Sequence, residues 1–120
     1  MPPIRVVIFR EDDGSAPVMD WLDALPPKAQ DKCIVRIERL KQHGYELRRP
    51  DADTLRDGIH ELRTRLGAVN YRILYFFHGG CAVLSHGLVK EREVPDREID
   101  LAVSRKQRFA RNPQGHTHEE

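Results

Sequence analysis

Apolar and polar residues alternate most regularly between residues 58 and 90, and this alternation predicts three consecutive β-strands. The first spans Ile59–Leu66, with its odd-numbered residues on one face and its even-numbered residues on the other. Val69–Phe77, rich in aromatic and β-branched residues, is the second strand, and Cys81–Lys90 is the third. The connections are short and contain glycine. We therefore expect an antiparallel meander, because parallel strands need a long crossover.

The amino-terminal flank predicts one strand and two helices. Ile4–Arg10 is a short apolar run that we expect to join the meander at an edge or beside it. Ser15 is suited to cap a first helix, and Trp21 is expected to anchor that helix in the core. A second helix, Lys28–His43, has an apolar face made of Cys33, Ile34, Ile37 and Leu40. Tyr45–Asp57 reads as an irregular connection.

Beyond the meander, Pro95 opens a third helix, and Asn112-Pro113 ends it. The last residues are polar and predict a flexible tail, residues 112–120, after a single domain of residues 1–111. His116 and His118 lie too close together in this tail for a convincing metal site, and we assign none. The predicted fold class is α+β: a small antiparallel sheet, the meander plus the amino-terminal strand, packed against two amino-terminal helices, with a carboxy-terminal helix.

The composition bounds the class of protein. The chain has 120 residues, 39% hydrophobic and 32% charged, which is typical of a single globular domain. No apolar run approaches the length of about 20 residues that a membrane span needs, and the amino terminus lacks a signal-peptide pattern. Cys33 and Cys81 show no metal-ligand spacing. Free thiols in a reducing cytoplasm are the expectation.

The distribution of charge singles out the meander. Residues 58–90 carry a formal charge of +3, whereas each flank carries −1. The basic residues of the meander are Arg63, Arg65, Arg72 and Lys90, and its acid is Glu61. A positive patch on a rigid sheet suits a polyanion or an acidic protein segment. Ordinary exposed strand arginines are the alternative interpretation.

The reactive side chains in the sequence limit the kinds of reaction that the protein could catalyse. The sequence has no glycine-rich phosphate loop, no cysteine cluster and no nucleophile elbow. Arginines, a lysine, histidines and tyrosines are concentrated in the meander. This set permits metal-independent cleavage of RNA by its own 2′-hydroxyl, which needs proton transfer and stabilisation of negative charge but no cofactor.

The segments DGIHELR, NYRILYFF and VLSHGLVKEREVP resemble the RelE/ParE superfamily of toxins from type II toxin–antitoxin systems. They are most similar to the HigB-like, phage-derived branch, and the resemblance extends to about Phe109. It implies the fold predicted above. Enzymatic members of the superfamily cut messenger RNA in the ribosomal decoding site and leave a 2′,3′-cyclic phosphate. The resemblance also implies a cognate antitoxin, which we expect to be a small helix-turn-helix protein.

Four residues are catalytic candidates, three of them by the resemblance and His86 by its position on the last strand. Arg63 and Arg72 match basic strand residues of the family, and we expect them to bind phosphate and stabilise charge. Lys90, at the end of the last strand, is expected to do the same or to donate a proton. His86 shares the face of Lys90 and is a candidate general base or acid; a histidine hydrogen-bonded within the sheet is the alternative.

Four further residues are predicted to bind RNA: Arg56, Arg65, Tyr75 and Arg92. Tyr75 either stacks on a base or packs in the core. Glu91 and Glu93 depart from the family pattern by adding negative charge beside Lys90. Two other functions stay open: a ParE-like toxin that inhibits DNA gyrase by protein contact, and an inert homologue that only binds an antitoxin.

Overall fold

Five strands and three helices make up residues 3–118, the part of the chain that the computed structural model describes. The strands are β1 (Arg5–Ile8), β2 (Ala52–Thr54), β3 (Ile59–Leu66), β4 (Val69–His78) and β5 (Cys81–Val89). The helices are α1 (Pro17–Asp23), α2 (Pro27–His43) and α3 (Asp96–Arg111). The predicted α+β class, a small sheet with helices, is confirmed.

The predicted meander forms β3, β4 and β5, which pair antiparallel in chain order. Its two hairpin turns contain Gly67 with a φ of +60° and Gly79 with a φ of +52°. Side chains other than glycine rarely adopt this left-handed conformation, so these glycines let the chain reverse within two residues.

The sheet is mixed rather than wholly antiparallel, because β1 joins the edge beside β5 in the parallel direction. The edge was one of the two positions predicted for this strand, whereas its predicted antiparallel direction was wrong. Short turns force antiparallel pairing only between strands that are neighbours in the chain. Two helices and three other strands separate β1 from β5, so no turn restricts its direction.

Helices cover both faces of the sheet, and each face has its own hydrophobic core. α1 and α2 pack on one face, where the core includes Val18, Leu22, Cys33, Leu40, Leu62, Ile73, Tyr75 and Leu84. α3 packs on the other face, where the core includes Phe9, Ile59, Leu74, Phe76, Val83, Ile99, Ala102 and Phe109. Both faces of β4 are therefore buried, which explains why its sequence is apolar almost throughout.

α1 is positioned by a close fit between Trp21 and β5. A Cβ added at Gly87 would lie 2.1 Å from the Trp21 ring, so the absence of a side chain at Gly87 makes room for the indole. Trp21 is only partly buried, yet it packs against the core and meets Tyr71 edge to face. The predicted cap does not form: the Ser15 hydroxyl bonds Asp13, and Ala16 takes the N-cap position.

Helix α2 and the connection that follows it each differ from the prediction in one detail. Ile34 is 44% exposed, because the buried stripe of α2 runs along Ala29, Cys33 and Leu40 and leaves Ile34 beside it. The connection after α2 contains a strand, β2, that pairs antiparallel with β3. Three residues are too few to produce a recognisable alternation, so β2 could not be predicted from the sequence pattern.

A β-bulge interrupts the pairing of β4 with β5. Leu74 pairs with His86 whereas Tyr75 pairs with Leu84, which leaves Ser85 as the extra residue. The extra residue shifts the alternation of β5, so that Val83, His86 and Leu88 all lie on the α3 face. Without the bulge, His86 would point toward α1.

The carboxy-terminal segment lies against the end of β1, where the sequence predicted a flexible tail. The His116 ring stacks on Phe9, with ring centroids 5.0 Å apart, and Thr117 forms an isolated bridge to Phe9. The backbone N–H of His118 donates to the carbonyl of Ile8. These partners are distant in sequence, so the composition of the segment did not reveal them. Residues 119–120 lie outside the described part of the chain.

Within residues 3–118, no helix is both long enough and apolar enough to span a membrane.

Candidate functional site

Two arginines lie side by side in the middle of the sheet, on the face that carries α3. Arg63 of β3 pairs directly with Arg72 of β4, and Leu88 of β5 lies opposite Arg72. Directly opposed residues of antiparallel strands have Cβ atoms about 4.5–5.5 Å apart, where like charges repel. The strands thus bring together two of the predicted catalytic residues, and the repulsion between them has to be offset.

Glu61 offsets this repulsion. It precedes Arg63 by two residues on the same face of β3 and is only 4% exposed. Arg72 Nη1 donates a hydrogen bond of 2.9 Å to Glu61 Oε1, and Arg63 Nε lies 3.8 Å from the same oxygen. Burial raises the pKa of Glu61 above its ordinary value, although the charges of Arg72 and Arg63 act in the opposite direction.

Sequence reasoning gave Glu61 no role, although the signal was present. The alternation of β3 places Glu61, Arg63 and Arg65 on one face, and a single acid on an otherwise basic face is unusual. A carboxylate there marks either a structural ion pair or a group that exchanges protons.

Arg72 lies on the floor of a depression rather than on the open surface that the sequence predicted. Its side chain is 8% exposed, compared with 40% for Arg63. The reason is that β4 is a central strand with neighbours on both sides. Arg72 Nε is also buried, and it finds no acceptor in residues 3–118. Glu61 therefore uses only part of the hydrogen-bonding capacity of Arg72.

These three residues form the floor of an open depression of about 900 Å³, here called the central groove. One wall is Arg49 with residues 53–56, from the connection that contains β2. The other wall is residues 91–94 with Asp96 and Ile99, from the start of α3 and the segment before it. The groove is thus bounded by two segments that the sheet and α3 hold in place.

The groove is balanced in charge, although the meander alone is basic. Five arginines and five carboxylates line it, so their formal charges cancel. The arginines are Arg49, Arg56, Arg63, Arg72 and Arg92, and the carboxylates are Asp53, Glu61, Glu91, Glu93 and Asp96. The acidic side chains come mainly from the walls, which the flanking segments supply.

Arg56, one of the predicted RNA-binding residues, lies in one wall and is held by three carboxylates. Its guanidinium contacts Asp57 at 2.8 Å, Asp100 at 2.8 Å and Asp96 at 3.4 Å. Hydrogen bonds to Asp100 and Asp57 raise the pKa of Arg56. Arg56 therefore ties the wall to the amino-terminal half of α3, and an RNA phosphate would have to compete with these carboxylates.

The other predicted basic residues lie around the groove. Arg92 lines it directly. Arg65 donates to the carbonyl of Gly67 and lines a smaller hollow of about 260 Å³, which shares Arg63 and Arg72 with the central groove. Lys90 follows the end of β5 at an exposed position beside Arg92. The structure therefore brings six of the predicted residues together in and around the central groove: Arg56, Arg63, Arg65, Arg72, Lys90 and Arg92.

His86 is not among the groove residues, because α3 covers it. His86 is 7% exposed; its Nδ1 meets the Ser85 hydroxyl at 2.8 Å, and its Nε2 meets Glu98 Oε1 at 3.1 Å. Burial lowers the pKa of His86, and the charge of Arg105 lowers it further. This geometry matches the alternative interpretation, a histidine held by hydrogen bonds within the fold.

Tyr75 lies on the opposite face of the sheet from the groove and is 2% exposed. Its ring stacks on His60 with centroids 5.2 Å apart and meets Phe77 edge to face. Burial raises the pKa of its hydroxyl. The prediction that Tyr75 stacks on an RNA base therefore needs correction: the ring faces are occupied, and this side chain belongs to the core.

Residues 3–118 contain no group of three or more histidine, cysteine, aspartate and glutamate side chains arranged to hold a metal ion. His116 is 6% exposed and packs on Phe9, and its Nδ1 lies 2.9 Å from the carbonyl of Arg10. Its environment is that of a packed aromatic residue.

The chain matches the family described as phage-derived protein Gp49-like (DUF891) over residues 20–107. The matched region includes the whole central groove, since all of the residues that line the groove lie between residues 49 and 99. No curated protein matches the chain.

Proposed function

The chain belongs to the family of phage-derived Gp49-like proteins, a toxin-like family within the RelE/ParE-like toxin superfamily, and from this premise we propose that it is the toxin of a type II toxin–antitoxin system. We further propose that it is HigB-like in activity and cuts messenger RNA on the ribosome, in the cytoplasm. The central groove is the proposed site.

The observation that supports cleavage most strongly is the pairing of Arg63 with Arg72 on the floor of an open groove. A phosphodiester that is attacked by its neighbouring 2′-hydroxyl gains negative charge on its non-bridging oxygens. Two guanidinium groups on adjacent strands present several donors to those oxygens without any movement of the backbone, which is the condition for effective electrostatic stabilisation. Neither a cofactor nor a metal ion is required for this chemistry.

The residues around the groove have supporting roles in this proposal. Arg92 lines the central groove, Arg65 lines the neighbouring hollow that shares Arg63 and Arg72, and Lys90 stands beside Arg92. We propose that Arg65, Arg92 and Arg56 bind neighbouring phosphates and that Lys90 adds positive charge or donates a proton. Contacts of this kind position a nucleic acid without reading its sequence.

An antitoxin is the proposed protein partner. Arginines of the groove already donate hydrogen bonds to carboxylates of the same chain, as Arg49 does to Asp53 at 2.7 Å. An acidic segment of a small helix-turn-helix antitoxin would meet the same guanidinium groups and exclude RNA.

One observation favours a second candidate function. The charges of the groove cancel, and its innermost arginine is held by a buried glutamate. Such a groove attracts RNA less strongly than an unbalanced basic surface would. It suits a toxin that acts by protein contact, as a ParE-like gyrase inhibitor would, or a homologue that only binds an antitoxin.

A reconstituted translation reaction separates these functions. The purified protein is added to ribosomes that translate a defined message, and the cleaved ends are mapped and tested for a 2′,3′-cyclic phosphate. Arg63→Ala is expected to reduce cleavage by about 100-fold, by analogy with the loss of one oxyanion-hole donor. Arg111→Ala, which removes an exposed arginine at the far end of α3, is the matched control and should cleave normally.

The same reaction can refute the proposal. Intact message with wild-type protein, together with inhibition of gyrase supercoiling, would identify the protein-contact function instead. Normal cleavage by a folded Arg63→Ala variant would remove the arginine pair from the mechanism.

A further inference from the structure

The proposed cleavage needs a group that accepts the proton of the attacking 2′-hydroxyl, and the predicted candidate, His86, lies under α3. The floor of the central groove offers one carboxylate, Glu61, between the two arginines that are proposed to hold the phosphate. Its strand is fixed on both sides, since Glu61 pairs with Asp53 of β2 and with Leu74 of β4. The position of this carboxylate is therefore set by the sheet and not by a flexible loop.

The hydrogen bonding of Glu61 leaves one of its two carboxylate oxygens able to accept a proton. Within residues 3–118, Arg72 is the residue that donates a hydrogen bond to this carboxylate, and it engages Oε1. The second oxygen has no such donor in that part of the chain. A carboxylate held at one oxygen keeps its orientation while the other oxygen can accept a proton.

We propose, on the premise that the chain is a ribonuclease, that Glu61 is the general base that takes the proton from the 2′-hydroxyl. A phosphate held by Arg63 and Arg72 would lie beside the carboxylate that contacts both arginines, and the ribose on its 3′-oxygen would carry the 2′-hydroxyl toward Glu61.

The step balances without any further reactant. The 2′-oxygen forms a bond to phosphorus as its proton passes to Glu61, and the bond from phosphorus to the 5′-oxygen breaks. The departing 5′-oxygen takes a proton from water in the open groove, which leaves a 2′,3′-cyclic phosphate and a 5′-hydroxyl. Glu61 then returns its proton to water, and the enzyme is restored.

The surroundings of Glu61 suit this task. Burial raises the pKa of Glu61, which makes its carboxylate a stronger base than an exposed one. The charged groups facing it are Arg72 of β4, Arg63 of β3, Asp53 of β2 and Arg49 before it, and the far wall adds Glu91, Arg92, Glu93 and Asp96. The charges of Arg72 and Arg63 favour the ionised form of the carboxylate, and burial makes that form a stronger base.

A purely structural counterion would occupy the same place, so the test must separate the two roles. Glu61→Gln keeps the size and an acceptor for Arg72 but cannot act as a base. It also removes a negative charge from the groove. A general base therefore predicts a slower reaction with unchanged or tighter binding of RNA, whereas a counterion predicts a weaker fold and weaker binding together.

The experiment measures both quantities on ribosomes programmed with a short defined message. Cleavage is followed in a single turnover, and affinity is measured with the same message carrying a 2′-O-methyl group at the cleavage site. Glu61→Gln should cleave at least about 100-fold more slowly, the usual contribution of a general base. Its affinity should be equal to or higher than that of the wild type. Glu61→Asp should recover part of the rate, and Glu38→Gln, on the exposed face of α2, should behave as wild type.

The pH profile provides an independent readout. The wild-type rate should fall with acid as Glu61 becomes protonated, and Glu61→Gln should lack this dependence. Three results would refute the proposal. Glu61→Gln cleaves at the wild-type rate, or it loses RNA affinity and thermal stability together, or the wild-type rate does not fall at low pH. If the wild type cleaves no message at all, the ribonuclease function fails, and the role of Glu61 fails with it.

Discussion

Replacing Arg72 with alanine should destabilise the fold as well as abolish the proposed activity. A surface arginine can usually be deleted at a cost below about 0.5 kcal/mol. Arg72 differs because it is 7% exposed and forms a 2.9 Å ion pair with Glu61, which is 4% exposed. Removing one partner of a buried ion pair leaves the other charge buried and unpaired, which costs about 3–5 kcal/mol of stability.

Two features of the structure place the cost near the lower end of this range. Arg63 Nε lies 3.8 Å from the same carboxylate oxygen and still attracts it. Glu61 can also bind a proton, which removes the buried negative charge. For a glutamate of ordinary pKa this costs about 3.7 kcal/mol at pH 7, since each pH unit corresponds to about 1.4 kcal/mol. Burial has already raised the pKa of Glu61, so the cost is smaller, and we expect about 3 kcal/mol.

The loss of folding stability in Arg72→Ala should depend on pH in a defined direction. Without Arg72 the pKa of Glu61 rises further above its value in the unfolded chain. The folded state then binds more protons than the unfolded state, so its stability falls as pH rises through this window and returns as pH falls. The deficit of Arg72→Ala should therefore be largest at pH 7–8 and smaller at pH 5.

Urea unfolding at both pH values, with thermal melts, measures this effect. A deficit of about 3 kcal/mol corresponds to a decrease in Tm of roughly 12 °C for a domain of this size. The double variant Arg72→Ala with Glu61→Gln should recover part of it, because no buried charge remains, and Arg111→Ala serves as the control. Equal unfolding midpoints for Arg72→Ala and the wild type, or a deficit that grows toward pH 5, would contradict the argument.

The remaining predictions concern the scaffold. Trp21→Ala should lower the free energy of unfolding by about 3 kcal/mol in urea titrations, since a large core-facing ring is lost. Gly87→Ala should cost about 1–3 kcal/mol by overpacking, because its Cβ would lie 2.1 Å from the Trp21 ring; the double variant should lose less than the sum, and full additivity would refute the contact. The lowered pKa of His86 means that the unfolded state binds the extra proton, so stability should fall as pH drops below about 6.5. His86→Gln should lose part of that dependence in urea titrations at pH 5.5 and 7.5; an unchanged dependence would exclude His86 as its source.

Local patterns in the sequence were sufficient to predict the meander and its faces. The bounds of β3 agree with the prediction, and the odd-numbered residues of that strand share one face, as Ile59 and Glu61 illustrate. Alternation over eight or more residues and glycine at both turns are signals that depend only on neighbours in the chain. They required no knowledge of the tertiary structure.

The burial of the site residues was not predictable in the same way. The position of His86 beneath α3 depends on a bulge at Ser85 and on Glu98, a residue of a separate element. The core position of Tyr75 depends on β4 being covered on both faces. A period of two identifies which residues share a face, but it does not reveal which face, or which part of it, a helix will cover.

The charge of the groove shows why a count along one segment is a poor guide to a site. Residues 58–90 sum to +3, yet the central groove is neutral. Only Arg63, Arg72 and Glu61 of that segment line it, with a sum of +1, and the walls add four carboxylates against three arginines. Affinity for a nucleic acid depends on phosphates that replace mobile counterions on basic side chains. Here carboxylates fixed in the fold already pair with Arg49, Arg56 and Arg72, and Arg56 alone contacts three of them. A ligand gains from this groove only by supplying better-placed acceptors than the chain supplies to itself. That condition favours a shaped, rigid anion held by other contacts, such as a message fixed on a ribosome or an antitoxin segment anchored elsewhere, over free RNA.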